Sequence, residues 1–189
     1  MTTNDPSTTP QSVTGPRINK GLVIVNTGTG KGKTTAAMGV MFRAWGRGMN
    51  VIMMQFIKHS TANFGEQRAA KKLGITMKAM GDGFTWRSKD LDQSAELAKA
   101  HWEDCKTIIS SNEYDLLILD EFTYPMHYGW VDVDEVIETL KSKPEMLHII
   151  ITGRNAPEKL VDYADLVTDM TLVKHPYNCL LYTSDAADE

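Results

Sequence analysis

The sequence predicts an α/β domain built on a mostly parallel sheet of about six strands, with helices on both faces. Three observations carry this. Short apolar runs alternate with helical patterns from Lys20 onward. Several of those runs are continuously apolar, as strands buried on both faces are, and do not alternate with polar residues. The first run passes through a glycine-rich turn straight into a helical pattern, which is the local layout of a phosphate-binding loop.

Taken in order, residues 1–17 are rich in Thr, Ser, Pro and Asn without apolar period. Residues 1–19 are therefore expected to form a flexible arm ahead of a domain spanning 20–177. Gly21 to Val25 reads as the first strand and Ala36 to Ala44 as the first helix. After the Gly46-Arg47-Gly48 break, Val51 to Phe56 reads as a strand, Glu66 to Leu73 as a short helix and Ile75 to Met80 as a strand. Leu91 to Ser110 reads as a longer helix, with Leu97, His101, Trp102, Cys105 and Ile108 or Ile109 on one face. Tyr114 to Asp120 is a strongly apolar strand, Val133 to Leu140 a helix and Leu147 to Thr152 a strand. Pro157 to Tyr163 reads as a helix and Leu166 to Val173 as the last strand.

Composition narrows the function classes. A hydrophobic content of 42% and a charged content of 23% are those of a globular protein. The net charge of −4 argues against a general nucleic-acid binder. Cys105 and Cys179 form neither a metal-ligand spacing nor a disulfide framework. His59, His101, His127, His148 and His175 are scattered, and the 11 methionines read as core filler. The apolar runs are strand-length, so no membrane partner is expected and the cytoplasm is the expected location.

The chemistry-bearing stretch is Thr27, Gly28, Thr29, Gly30, Lys31, Gly32, Lys33, Thr34 and Thr35. Glycines let backbone N–H groups approach phosphate oxygens, and the following helix adds its positive end. Lys33 supplies a mobile charge for the phosphates, and the Thr34 hydroxyl is placed to ligate Mg²⁺. The usual G-x-x-x-x-G-K-[ST] pattern has glycine where this chain has Thr27. Asp115 to Glu121 is an apolar strand ending in two carboxylates, Asp120 and Glu121, the pattern that holds Mg²⁺ beside such a loop. The alternative is a strand end solvated by acids; paired with Lys33 and Thr34, the nucleotide reading is stronger. Together these make the expected fold a P-loop NTPase (RecA-like) three-layer sandwich.

Arg154 ends another apolar strand and reads equally as a phosphate contact or an exposed loop cation. Arg43 lies further along the first helix, and the residues alone favour a surface pairing. Phe84 and Trp86 sit in the Gly-rich stretch Gly81 to Trp86, where aromatics either cover something flat or anchor the loop. The residues alone favour the anchor.

In combination these stretches resemble the P-loop corrinoid adenosyltransferases, which act on cob(I)alamin or cob(I)yrinic acid a,c-diamide. The carrying residues are the Thr27–Thr35 loop, Arg43 to Gly48, Gln55 to Lys58, Gly81 to Trp86, Leu119 to Tyr124, Ile151 to Arg154 and Val173 to Pro176, in collinear order. The resemblance implies transfer of the 5′-deoxyadenosyl group of ATP to the Co(I) centre of a reduced corrinoid, with release of triphosphate. It implies ATP-binding roles for residues 27–35, Arg43 at the ribose, Glu121 and Arg154, and Mg²⁺ on Thr34, Asp120 and Glu121. It places Phe84 and Trp86 below the corrin ring, where they displace the lower axial base and keep water away, and so reverses the anchor reading. It also implies a reduced flavoprotein as electron donor and a homodimer. Two departures stand out. Thr29 occupies a position that is usually Asn, and residues 178–189 share nothing with the segment that normally follows. That end is read as an atypical, non-native tail. The competing functions are a RecA-like ATPase or kinase and a non-catalytic binder of ATP and corrinoid. The sequence does not distinguish complete cobalamin from an intermediate as substrate.

Overall fold

In a computed structural model, residues 18–59, 64–81 and 91–175 are described. The expected arm up to residue 17, the Phe84 and Trp86 pair and the 178–189 tail lie outside the described residues. The elements run β1 (Val23–Thr27), α1 (Lys33–Gly46), β2 (Val51–His59), α2 (Gly65–Leu73), β3 (Thr76–Gly81) and α3 (Leu91–Ser111). They continue β4 (Leu116–Asp120), α4 (Thr123–His127), α5 (Val133–Lys141), β5 (His148–Thr152), α6 (Glu158–Tyr163) and β6 (Leu166–Asp169).

The six strands form one sheet in the order β3-β2-β4-β5-β1-β6, and every recorded pairing is parallel. Successive side chains of a strand point to opposite faces, so a strand with both faces covered must be apolar throughout. All five residues of β4 are buried. Leu117 and Leu119 join one core cluster with Trp102 and Cys105 of α3, Val136 and Leu140 of α5, and Leu160 of α6. Leu116 and Ile118 join the other with Ala37, Met41 and Ala44 of α1 and Ala70 of α2. The result is the three-layer α/β sandwich expected.

On α3, Trp102, Cys105 and Ile109 of the expected face are buried, while Leu97, His101 and Ile108 are partly covered. Trp102 stacks on Phe122 with ring centroids 4.9 Å apart, and Phe122 in turn lies 4.6 Å from Phe56. Phe122 follows Asp120 and Glu121 directly in the chain, so this buried aromatic group anchors the backbone just beyond the two carboxylates.

Most bounds shift by a few residues, and three differences bear on the site. β2 continues to His59. Helix α4, only five residues long, begins immediately after β4. Its Pro125 falls in the first turn, where the missing N–H has no intrahelical partner to lose. The last strand ends at Asp169 and not at Val173. There Met170 turns to the glycine loop: its N–H donates to the Thr27 carbonyl at 2.9 Å and its carbonyl accepts from the Gly30 N–H at 2.6 Å.

Candidate active site

Strand order brings the chemistry together. β5 lies between β1, which launches the glycine loop, and β4, which carries the two carboxylates. Ligands of open parallel sheets bind beyond the carboxyl ends of the strands, and these three ends are adjacent.

The loop from Thr27 to Gly32 is tightly determined. Gly28 has φ 101°, and a Cβ there would lie 2.6 Å from the Met170 carbonyl oxygen. Thr27, where the common pattern has glycine, uses its hydroxyl to accept the Ala156 N–H at 3.2 Å, tying the loop to the chain after β5. Thr29, Lys31 and Thr35 are exposed around the rim. The Lys33 side chain, only 6% exposed, folds under the loop and donates to the carbonyls of Gly30 at 2.7 Å and Gly28 at 3.1 Å. Burial lowers its pKa, Glu121 opposes that, and Arg154 and Lys31 add to the lowering.

Asp120 is fully buried and receives three donors. The Thr34 and Thr152 hydroxyls donate to Oδ1 at 2.8 and 2.7 Å, and the Gln55 amide donates to Oδ2 at 3.2 Å. Burial raises its pKa, and those three hydrogen bonds pull the other way. Gln55 Nε2 also donates to Glu66 at 3.1 Å, and Glu66 pairs with Lys58.

Glu121 adopts a left-handed backbone with φ 58°, uncommon for a residue with a Cβ. Its N–H donates to Thr152 Oγ1 at 3.0 Å, while Oε2 is buried with no hydrogen-bond partner among the described residues. Burial and then the Asp120 charge raise its pKa, while Lys33, Arg154 and Lys58 pull it down. A buried carboxylate oxygen without a partner is costly unless something comes to meet it. Arg154, exposed, bears on both Glu121 and Lys33; the Thr123 hydroxyl holds its carbonyl at 2.7 Å. Gly153 makes that contact possible, since a Cβ there would lie 2.0 Å from Thr123 Oγ1.

Arg43 stands apart from this group. It is exposed in the last turn of α1, on the order of 15 Å along the helix axis from Lys33. No group of three or more His, Cys, Asp or Glu side chains arranged to hold a metal ion occurs among the described residues.

A profile of the family described as ATP:corrinoid adenosyltransferase BtuR/CobO/CobP matches residues 19–181. The chain belongs to that adenosyltransferase family. A corrinoid adenosyltransferase of a Sinorhizobium species is 42% identical over 161 residues, covering 84% of this chain and 75% of the relative. Corrinoid adenosyltransferase CobA of Salmonella typhimurium is 38% identical over 159 residues, covering 84% of this chain and 81% of the relative. The corrinoid adenosyltransferase of Pseudomonas aeruginosa is 34% identical over 163 residues, covering 85% and 80%. Membership makes the chain an adenosyltransferase of the ATP:corrinoid type and disfavours the generic ATPase and the non-catalytic binder. Among solved structures, flagellar accessory protein FlaH of Methanocaldococcus jannaschii has a similar fold, with TM-score 0.51 at 14% identity over 80% of this chain and 72% of its own.

At this edge of the sheet, Lys33, Thr34, Asp120, Glu121 and Arg154 come together. Gln55, Thr123 and Thr152 had no role assigned from the sequence. Their signal was present in part, since Thr152 is a polar residue closing an apolar strand and Gln55 a polar residue interrupting one.

Proposed function

We infer that the chain joins C5′ of ATP to the cobalt of a reduced corrinoid at the carboxyl edge of β1, β4 and β5. The Co(I) electron pair forms the Co–C bond while the C5′–O bond breaks and its electrons leave on triphosphate. The observation that carries this is the convergence of Lys33, Thr34, Asp120, Glu121 and Arg154 in a chain of this family.

The leaving group is a polyanion, so the site's work is electrostatic. Lys33 and Arg154 offset the charge on the departing triphosphate. Gly28, Gly30 and Gly32, with Thr27, Thr29, Lys31 and Thr35 around them, shape the loop that receives it. The residues present fit Mg²⁺, a hard cation bound through one or two carboxylates with phosphates and waters. Thr34, Asp120 and Glu121 would hold it, and the buried Glu121 oxygen that has no partner among the described residues supports that assignment. Bound there, Mg²⁺ would supply charge neutralisation of the phosphates. Arg43, distant from the carboxylates, is assigned to the ribose. Phe84 and Trp86, outside the described residues, are assigned to the corrinoid's lower face. The proposal also includes a reduced flavoprotein as electron donor, a homodimer and a cytoplasmic location. Among the described residues no helix is long and apolar enough to cross a membrane.

The test is anaerobic incubation with MgATP and chemically reduced cob(I)alamin, following the visible spectrum and phosphate products. A light-sensitive Co–C product with stoichiometric triphosphate is expected. Steady ADP release without it overturns the reading.

A further inference from the structure

We propose that Thr152 is a positioning residue of this site, whose hydroxyl holds Asp120 and Glu121 in the one arrangement that turns a Glu121 carboxylate oxygen toward the ligand. The proposal rests on the transfer reading above and deepens it.

The placement follows from register. Thr152 pairs with Asn26 of β1, and Ile151 before it pairs with Leu119 of β4. Thr152 therefore closes the strand between the loop-bearing and carboxylate-bearing strands, fully buried. Its hydroxyl has one proton and two lone pairs, and it donates and accepts at once: Oγ1 donates to Asp120 Oδ1 at 2.7 Å and accepts the Glu121 N–H at 3.0 Å. A single group thus fixes one carboxylate by its side chain and the next by its backbone.

The second contact is the consequential one. Glu121 sits at φ 58°, a conformation that side-chain-bearing residues leave unless something holds them. Relaxing it re-aims the side chain and with it the buried oxygen that has no partner among the described residues. The first contact reaches further, because Asp120 Oδ1 also accepts from Thr34, the hydroxyl at the mouth of the glycine loop. That hydroxyl spends its proton on Asp120, which leaves its lone pairs to accept or to ligate.

The surrounding backbone is secured separately. Gly153 N–H donates to the Asn26 carbonyl at 3.2 Å, and Thr123 holds Arg154 at 2.7 Å. Loss of the Thr152 hydroxyl should therefore disturb the carboxylates before the fold.

Thr152→Ser and Thr152→Ala both remove the methyl group and differ only in the hydroxyl, so their comparison isolates it. The measurements are kcat, KM for corrinoid, MgATP affinity by calorimetry without corrinoid, and melting temperature. Thr152→Ser should stay within about threefold of the wild type. Thr152→Ala should lose roughly 10- to 100-fold in kcat and in MgATP affinity, the usual effect of removing a group that orients a ligand-bearing side chain. Corrinoid KM should be unchanged and the Ala variant's melting temperature close to that of Ser. Equal kcat and MgATP affinity in the two variants, or losses that merely track the folded fraction, overturn the proposal. If Thr152→Ala does not fold, Thr152→Val, which keeps the volume, takes its place in the comparison. Absence of any Co–C product from the wild type would instead sink the transfer reading, and the calorimetric comparison would still decide the role of Thr152.

Discussion

Replacing Gly28 by alanine should damage both stability and nucleotide binding, and the structure sets the scale. Gly28 has φ 101°, where a side chain costs ~1–3 kcal/mol in backbone strain. The added methyl would lie 2.1 Å from Asp169 Oδ1, 2.6 Å from the Met170 carbonyl oxygen and 2.7 Å from the Met170 nitrogen. The exposed Asp169 side chain can swing away, but the Met170 backbone is held by its hydrogen bonds to Thr27 and Gly30. Overpacking against backbone adds ~1–3 kcal/mol, for a total of about 2–6 kcal/mol. In a domain of this size that corresponds to a melting point lower by about 4–24 °C. Thermal denaturation followed by circular dichroism, with KM for ATP measured well below the transition, reads both effects. Gly28→Ala paired with Asp169→Ala should recover little of the loss, because the obstacle is the backbone. A Gly28→Ala protein that melts within about 2 °C of the wild type, or full rescue by Asp169→Ala, would show that the loop is not seated as described.

Other outcomes follow from the same geometry. Lys33→Met keeps the stem and removes the charge, so adenosyl transfer should fall by roughly 10²–10³-fold in a triphosphate-release assay. Cys105 is fully buried in the α3 face and burial pushes its thiol up to about 12, so peptide mapping should find it unalkylated at pH 8 until the protein is unfolded. Asp165 pairs with Lys20 and accepts the Val23 N–H at 2.9 Å, and these hold its carboxyl below the ordinary value of 3.8. A depressed carboxyl stabilises the fold above its unfolded pKa and loses that contribution as pH falls through the folded one. The stability difference between wild type and Asp165→Asn in urea should therefore be full near pH 6 and shrink toward zero as pH falls below the ordinary carboxylate range.

Much of the site was legible because its elements are local. Lys33 and Thr34 follow the glycines by a fixed count, and Asp120 and Glu121 end an apolar run. Helix α4 was missed because five residues around Pro125 carry no usable period. The end of β6 was overrun because Leu172 and Val173 are apolar, yet they lie exposed beyond the residue that binds the loop. Thr27 looked like a defect in a motif until its hydroxyl was seen to hold Ala156.

By itself the sequence determined the α/β class, the six strands, the phosphate loop and the family-specific set of stretches, since each is written in contiguous residues. Only the tertiary structure decided that β5 enters between β1 and β4, because strand order depends on pairings far apart in the chain. From that placement come the three donors on Asp120, the left-handed Glu121, whose buried oxygen has no partner among the described residues, and the position of Thr152 between them. Spacing along a chain tells which groups are available. Hydrogen bonds between residues more than 30 positions apart, as from Thr152 to Asp120, decide where those groups point.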